Sequence, residues 1–294
     1  MKLLLILLAI PAFMFPLACL IYILWQAWGS LDLSLLTGAK HASSMIQAGQ
    51  SLLPQISGSL LLMGIACALA MPIAMALALF HSLYASKYQQ HGLMMMLQLF
   101  QGIPPIVYGL CGLVVLVHLL HWGISLAAGG VILAVIILPL LSSNIIHALE
   151  RIPLEQTEAA KSLGLSSMQV IRRVWLPSAW SGILTGLLLS MARALSETAP
   201  ILFTATVFSG VTWPDSIWNP VTSLQTHIFY LAQEGSDAHA VGIAWASASI
   251  LLALILCFSL LAWTLRAAEI NNYSSYVKDK SSDSRRSIWR ISKP

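Results

Sequence analysis

Charged residues are scarce in this chain. Only 9% of its 294 residues are Asp, Glu, Lys or Arg, and 58% are hydrophobic, whereas a soluble domain carries about 25% charged residues. This scarcity excludes a soluble globular domain and indicates a chain whose main solvent is lipid. The formal net charge of +4 comes from basic residues dispersed over loops and a tail. No basic surface is interleaved with aromatic residues, so we expect no nucleic-acid partner.

Several chemical signatures are also missing. The four cysteines are far apart and have no CxxC spacing, which argues against a disulfide framework or a zinc site. The eight histidines form no HExxH pattern and are interpreted as single residues near the membrane interface. No GxxxxGK[ST] loop and no Ser/His/Asp or Cys/His constellation is present. We therefore expect no catalytic residue, metal or cofactor on this chain, and expect another polypeptide to supply energy.

Long apolar runs dominate the sequence instead. A helix needs about 20 apolar residues to cross a bilayer, and six runs qualify. They are Leu3–Trp28, Ile56–Phe80, Pro104–Leu120, Ser125–Ala148, Trp180–Phe208 and Ala240–Leu265. The third begins at Pro104 because proline is tolerated in a first helical turn, and the Met-rich Leu93–Gln101 is predicted to be an interfacial helix. The sequence thus predicts an all-α membrane protein with six transmembrane helices.

The first run, within residues 1–30, has some features of a signal peptide. Lys2 precedes it, and Leu17–Cys19 faintly resembles a lipoprotein cleavage site. Its apolar stretch is far longer than the 7–15 residues of a signal core. We expect it to remain as an N-terminal transmembrane helix.

The basic residues predict the orientation of the chain. If both termini are cytoplasmic, thirteen of the fifteen Lys and Arg residues lie inside, Lys40 lies outside and Arg193 lies within a span. The predicted outer loop Gly210–His239 contains no Lys or Arg. Its acidic residues are Asp215, Glu234 and Asp237.

The tail 271–294 is polar, Ser-rich and basic, and we expect it to be cytoplasmic. We expect it to be either disordered or bound to the anionic inner leaflet. The alternative is a regulatory contact.

The longest charged interruption, residues 149–179, predicts two short helices. Pro153 suits a first helical turn, and Glu155 and Glu158 place negative charge near the helix N-terminus, where the dipole favours it. Lys161 lies near the other end, and Gly164 can adopt the left-handed conformation that ends a helix.

A second helix follows the glycine. Ser166 and Gln169 have the spacing of a capping box, and Pro177 lies where this helix meets the next span. The small Ala159 and Ala160 allow another surface to approach the first helix closely. From the residues alone the loop is either a docking surface or an ordinary amphipathic connector.

The loop resembles a known signature. Glu158-Ala159-Ala160, then Gly164, then Val174–Pro177 is similar to the EAA motif of permease subunits of binding-protein-dependent ABC importers, with Val174 in place of the usual Ile. The resemblance, which covers about residues 56–265, implies the type-1 (MetI-like) ABC permease fold. It also implies that the loop contains a coupling helix that inserts into a groove on a separate ATPase subunit. The coupling residues it implies are Glu158, Ala159, Ala160, Gly164, Leu176 and Pro177.

Two further segments narrow the resemblance. Met191–Pro200, which reads MARALSETAP, is similar to a segment of PstA-type permeases of phosphate importers. Gly102–Gly109 resembles their G-hydrophobic-P-x-I-V-Y-G segment, with Pro105 where a small polar residue is common.

Arg193 and Glu197 are charged residues in a predicted span. A charge at a helix centre costs roughly 2.5–3.5 kcal/mol on insertion scales, and such residues usually face a bundle interior or a watery path. At i,i+4 spacing the two can form an ion pair on one face. The pair is interpreted either as a structural contact or as part of the path for an anion. The residues predicted to line that path are Ser190, Arg193, Glu197, Thr198 and Pro200.

The resemblance implies a phosphate-translocating permease in a bacterial inner membrane. The implied partners are a PstC-like sister permease, two copies of a PstB-like ATPase that binds ATP and Mg, and a periplasmic PstS-like phosphate-binding protein. Two alternatives remain open. One is a permease for another oxyanion, namely sulfate, molybdate or phosphonate. The other is a stand-alone secondary carrier, for which the sequence offers no paired inverted halves.

Overall fold

The computed structural model describes residues 2–30, 51–207, 213, 215–233 and 237–291. Three residues used in the orientation argument, Lys40, Glu234 and Lys293, lie outside these ranges. The α-helices of the described chain are α1 Lys2–Ala27, α2 Leu53–Leu83, α3 Lys87–Gly102, α4 Pro105–Gly112, α5 Leu126–Glu150, α6 Leu154–Ser162, α7 Ser167–Val170, α8 Leu176–Leu195, α9 Ala199–Thr204, α10 Leu224–Gln233 and α11 Ala238–Ile291. Two π-helical segments complete them: Leu113–Leu119 extends α4, and Ile171–Trp175 joins α7 to α8.

The helices confirm the predicted all-α membrane fold. In the described residues, five helical segments are long and apolar enough to cross a membrane, and the number rises to six if one bent pair counts as one span. That pair is Lys87–Gly102 with Pro105–Leu119. The doubled proline explains the break, because Pro104 is extended at ψ 134° and Pro105 occupies the first turn of α4. The predicted interfacial helix is longer than expected and begins at Lys87.

The prediction of one continuous fifth span over Trp180–Phe208 was wrong. Helix α8 ends at Leu195, and the separate helix α9 begins at Ala199. A helix continued through this point would place the Pro200 ring against the carbonyl of Ser196 and leave that carbonyl without its usual donor. Pro200 instead lies in the first turn of α9, where a missing N–H has no cost.

Two polar regions also differ from expectation. The predicted outer loop contains the ten-residue helix α10, in which five residues are buried. Ten residues are too few to cross a membrane, so the apolar runs did not predict this helix. Helix α11 continues to Ile291, so its backbone includes most of the tail, for which either disorder or binding to the inner leaflet was expected. No Gly or Pro lies between Ala267 and Ile291 to end the helix.

The described chain divides into two compact units, and each is considered by itself. The first comprises Met1–Ala70, Gln101–Ile137 and Met191–Leu256. Its core includes a cluster of Leu52, Leu231, Ala240, Ile243 and Ala246.

A close approach of α4 to α9 fixes another part of the first unit. A Cβ added at Gly109 would lie 2.7 Å from the Cα of Pro200, so only glycine permits this packing. The N–H of Ser125 donates to the carbonyl of Thr204 at 2.9 Å and anchors the start of α5 beside the end of α9.

The second unit comprises Met71–Phe100, Leu138–Ser190 and Cys257–Pro294. In it, α5 and α8 approach closely, because a Cβ added at Gly186 would lie 2.7 Å from the Cβ of Asn144. The loop between these two helices belongs entirely to this unit.

Candidate functional site

The first helix of the loop 149–179 is α6, Leu154–Ser162. Pro153 precedes it in an extended conformation, so it lies one residue before the predicted first-turn position. Glu155 lies in the first turn and Lys161 in the last, an arrangement that the helix dipole favours at both ends. Gly164 has φ +77°, which confirms the predicted left-handed turn. Its N–H donates to the Lys161 carbonyl at 2.9 Å and so closes the end of α6.

The second helix begins with the predicted capping box. The backbone N–H of Ser166 donates to Oε1 of Gln169 at 2.8 Å, and the N–H of Gln169 donates to Oγ of Ser166 at 3.4 Å. The chain then passes without a break through the π-helical segment into α8. The N–H of Leu176 donates to the carbonyl of Ile171, five residues earlier. This wider turn accommodates Pro177, which could not enter a regular helix interior without losing a hydrogen bond.

A side-chain hydrogen bond joins the two halves of the loop. Nε1 of the buried Trp175 donates to Oγ1 of Thr157 at 3.1 Å. Because Thr157 lies on α6, this bond fixes α6 relative to the segment that leads into α8. A buried indole N–H usually has such a partner, since an unpaired donor is costly.

The outer face of the loop is exposed and partly apolar. Ala160 is buried, whereas Glu158, Ala159 and Gly164 are exposed. Two large apolar side chains lie beside them, with Leu154 78% and Leu163 82% exposed. Apolar side chains that project this far, bordered by charged residues, are typical of a surface that contacts another protein or a membrane.

The predicted Arg193–Glu197 ion pair is present. An Nη atom of Arg193 lies 2.6 Å from Oε1 of Glu197. The carboxylate side chain is 7% exposed and the guanidinium side chain 49% exposed, so the acid is enclosed while half of the base remains open. Arg193 lies in the last turn of α8, where the helix dipole also stabilises a positive charge. Glu197 lies past the helix end and not, as predicted, near the middle of a span.

The remaining predicted path residues differ in accessibility. Thr198 is half-buried and precedes α9, and Pro200 is buried. Ser190 is fully buried, and its hydroxyl donates to the carbonyl of Gly186 at 2.8 Å. Of the five residues predicted to line a path, Arg193 therefore presents the most open polar surface.

The second unit contains a cleft that the sequence did not reveal. It has a volume of about 380 Å³ and lies between α5, α8 and α11. Its polar lining includes Asn144, Glu150, Arg151, Thr185 and Arg266. In the sequence, Arg151 and Arg266 indicate only the orientation of the chain, because no local pattern relates residues more than 100 positions apart.

In the described residues, no group of three or more His, Cys, Asp or Glu side chains could hold a metal ion. The described chain has an exposed, partly apolar loop in the second unit and a half-open guanidinium at a helix break in the first. Such an arrangement suits a membrane subunit that binds other proteins and passes a polar solute.

Comparison with known proteins agrees with this class. Residues 70–266 match the family described as binding-protein-dependent transport system inner membrane component. The chain belongs to this family, whose members are membrane subunits of ABC transporters.

Individual relatives are similar to the chain over different lengths. The probable ABC transporter permease protein YqgI of Bacillus subtilis is 28% identical over 232 residues, which cover 75% of this chain and 79% of that protein. The phosphate transport system permease protein PstA 2 of Mycobacterium bovis is 42% identical over 108 residues. That match covers 37% of this chain and about a third, 36%, of that protein.

A solved structure supports the fold. A chain of the MetNI methionine ABC transporter in an inward-facing conformation superimposes with a TM-score of 0.55 and 17% identity. The superposition covers 74% of this chain and 93% of that chain. It confirms the predicted MetI-like permease fold.

Proposed function

We propose that this chain is a PstA-type permease subunit of an ATP-driven importer of inorganic phosphate in a bacterial inner membrane. The observation that carries the assignment is the Arg193–Glu197 pair at the break between α8 and α9, with an enclosed carboxylate and a half-open guanidinium. The pair lies in the segment Met191–Pro200, which resembles PstA-type permeases. The similarity to a protein named as a phosphate transport permease supports the same substrate.

The chemistry of the pair fits an oxyanion. The planar guanidinium of Arg offers several N–H donors in a fork that matches phosphate oxygens. The carboxylate of Glu197 competes for those donors at 2.6 Å. It therefore keeps Arg193 from holding a passing phosphate too tightly. A transport path needs such weak binding, because the anion must leave as well as enter.

The loop that contains α6 would receive the energy for transport. We propose that its exposed face enters a groove on an ATPase subunit, which binds ATP and Mg, and that the two ATPase subunits close on ATP and push the loop. The exposed Leu154 and Leu163 supply apolar contact, and the exposed Ala159 permits a close approach. The Trp175–Thr157 bond and the continuous helix through Pro177 would make α6 and the start of α8 move as one body.

The assembly and orientation follow from this assignment. Both termini would be cytoplasmic, as the distribution of Lys and Arg favours. The chain would pair with a PstC-like sister permease, since six spans are few for a complete path. Two PstB-like ATPase subunits would dock on the cytoplasmic side, and a PstS-like binding protein would deliver phosphate from the periplasm.

The test is uptake of radiolabelled phosphate by a strain that lacks this chain. We expect high-affinity uptake to be lost and to return when the chain is supplied. An excess of unlabelled sulfate, molybdate or phosphonate should leave the restored uptake unchanged, whereas competition by one of them would assign the permease to that oxyanion. Purification of the chain without any bound ATPase would favour a secondary carrier instead.

A further inference from the structure

The end of α8 is closed by one hydrogen bond that comes from a distant part of the chain. Each of the last four carbonyls of a helix lacks a partner within the helix. Here the carbonyl of Ala192 accepts from Oγ of Ser196 at 2.9 Å. The carbonyl of Arg193 accepts from the N–H of Ser196 at 3.1 Å, and that of Ala194 from the N–H of Glu197 at 3.3 Å.

The fourth carbonyl has a different kind of partner. The carbonyl of Leu195 accepts from Nε2 of Gln225, thirty residues away on α10, at 2.6 Å. Gln225 is only 4% exposed, and Leu195 is 1% exposed. Water therefore has little access to either group, and the bond is the contact that keeps this buried carbonyl satisfied.

The amide of Gln225 is itself held in place. Its Oε1 accepts from Oγ of Ser59 on α2 at 3.1 Å. The same Oγ accepts from the N–H of Leu224 at 2.8 Å, and Ser59 is 1% exposed. The Ser59 hydroxyl thus fixes which way the amide points, so that its NH₂ group faces Leu195.

Leu195 lies midway between the two charged residues of the proposed path. Arg193 precedes it by two positions and Glu197 follows it by two, and their 2.6 Å contact spans the turn at which α8 ends. The backbone position of that turn decides whether the two side chains meet. These three residues, together with Ser59 and Gln225, belong to the first unit.

We infer that Gln225, oriented by Ser59, is a positioning residue for phosphate translocation: it fixes the end of α8 and thereby holds Arg193 and Glu197 in the geometry that the anion meets. This inference rests on the proposed function, because it names how the proposed contact is kept in place. Without the Gln225 bond, the Leu195 carbonyl must turn toward another donor, and the turn that bears Glu197 must move with it.

The test is a double-mutant cycle on phosphate uptake, expressed per assembled complex with its ATPase subunits. Gln225→Leu keeps the side-chain size and removes the bond, and we expect about a tenfold lower uptake rate, as loss of a buried hydrogen bond predicts. Ser59→Ala should lower the rate in the same direction by a smaller factor. Gln233→Leu, the same change at an exposed position of α10, is the matched control and should transport like the wild type.

The second arm repeats Gln225→Leu in an Arg193→Gln background, in which the ion pair with Glu197 is absent. If Gln225 acts through Arg193, the second change should add little, because the geometry it maintains is already lost. A merely structural role would instead lower the rate by the same factor in both backgrounds, and that result would overturn the inference. Wild-type uptake by Gln225→Leu would overturn it as well. The proposed function fails separately, if Arg193→Lys and Arg193→Gln both transport phosphate like the wild type.

Discussion

Replacing Gly164 by valine should uncouple the loop without disturbing its surroundings. Gly164 has φ +77°, and a Cβ added there meets no atom within 4 Å. The substitution therefore has no steric clash with neighbours, and its cost comes from the backbone alone. A side chain in the left-handed region costs about 1–2 kcal/mol, and a β-branched one resists this region most strongly. Since 1.4 kcal/mol corresponds to a factor of ten, the equilibrium constant that favours the correct turn should fall about tenfold.

The assay is phosphate uptake together with phosphate-dependent ATP hydrolysis by the assembled complex. Gly164→Val should lower both by up to about tenfold, and Gly164→Asn should retain most activity because asparagine tolerates this conformation. Gly123 supplies a matched control, since it has φ +67° and a Cβ there also meets no atom within 4 Å. Gly123→Val has a similar backbone cost outside the loop and should leave coupling intact. Normal coupling in Gly164→Val, or an equal loss in Gly123→Val, would refute the assigned role of the loop.

Two further predictions concern packing within each unit. Trp175→Phe keeps an aromatic side chain, although a smaller one, and removes the 3.1 Å bond to Thr157. A double-mutant cycle with Thr157→Val cancels the loss of size and should give a coupling energy of about 0.5–1.5 kcal/mol in thermal unfolding of the purified complex. Additive effects would show that the bond contributes nothing. Gly109→Ala places a methyl group 2.7 Å from Pro200 and should destabilise the fold by about 1–3 kcal/mol through overpacking. Gly92→Ala, where no atom lies within 4 Å, is the control, and equal melting temperatures for the two variants would contradict the close approach of α4 and α9.

Local chemistry made the loop predictable from sequence. The left-handed turn at Gly164 and the capping box at Ser166 and Gln169 depend on residues within a few positions of one another. Their conformations therefore follow from intrinsic preferences, and both predictions were confirmed. The apolar runs were predictable for a related reason, because a bilayer requires a certain length of apolar helix wherever the chain crosses it.

The break after Leu195 depends on contacts that a sequence pattern does not show. Apolar residues resume directly after Pro200, so hydropathy predicted one continuous span. The structure ends α8 where the carbonyl of Leu195 meets Gln225, and the meeting of these two residues depends on how α10 packs. Helix α10 was not predicted because its ten residues are too few to span a membrane. The helix is stabilised instead by the burial of half of its residues in the first unit. The ion pair was predictable from its i,i+4 spacing, but its place at a helix end was not.

The most direct test of the account is phosphate transport by complexes in which Arg193 has lost its charge. In assembled complexes reconstituted into vesicles, Arg193→Gln should lower the uptake rate about tenfold to a hundredfold, as loss of a charged hydrogen bond to the anion predicts. Lys87→Gln removes the same charge at an exposed position at the start of α3 and should transport like the wild type. If Arg193→Gln imports phosphate at the wild-type rate, the guanidinium does not contact the anion, and the proposed path through the break between α8 and α9 is wrong.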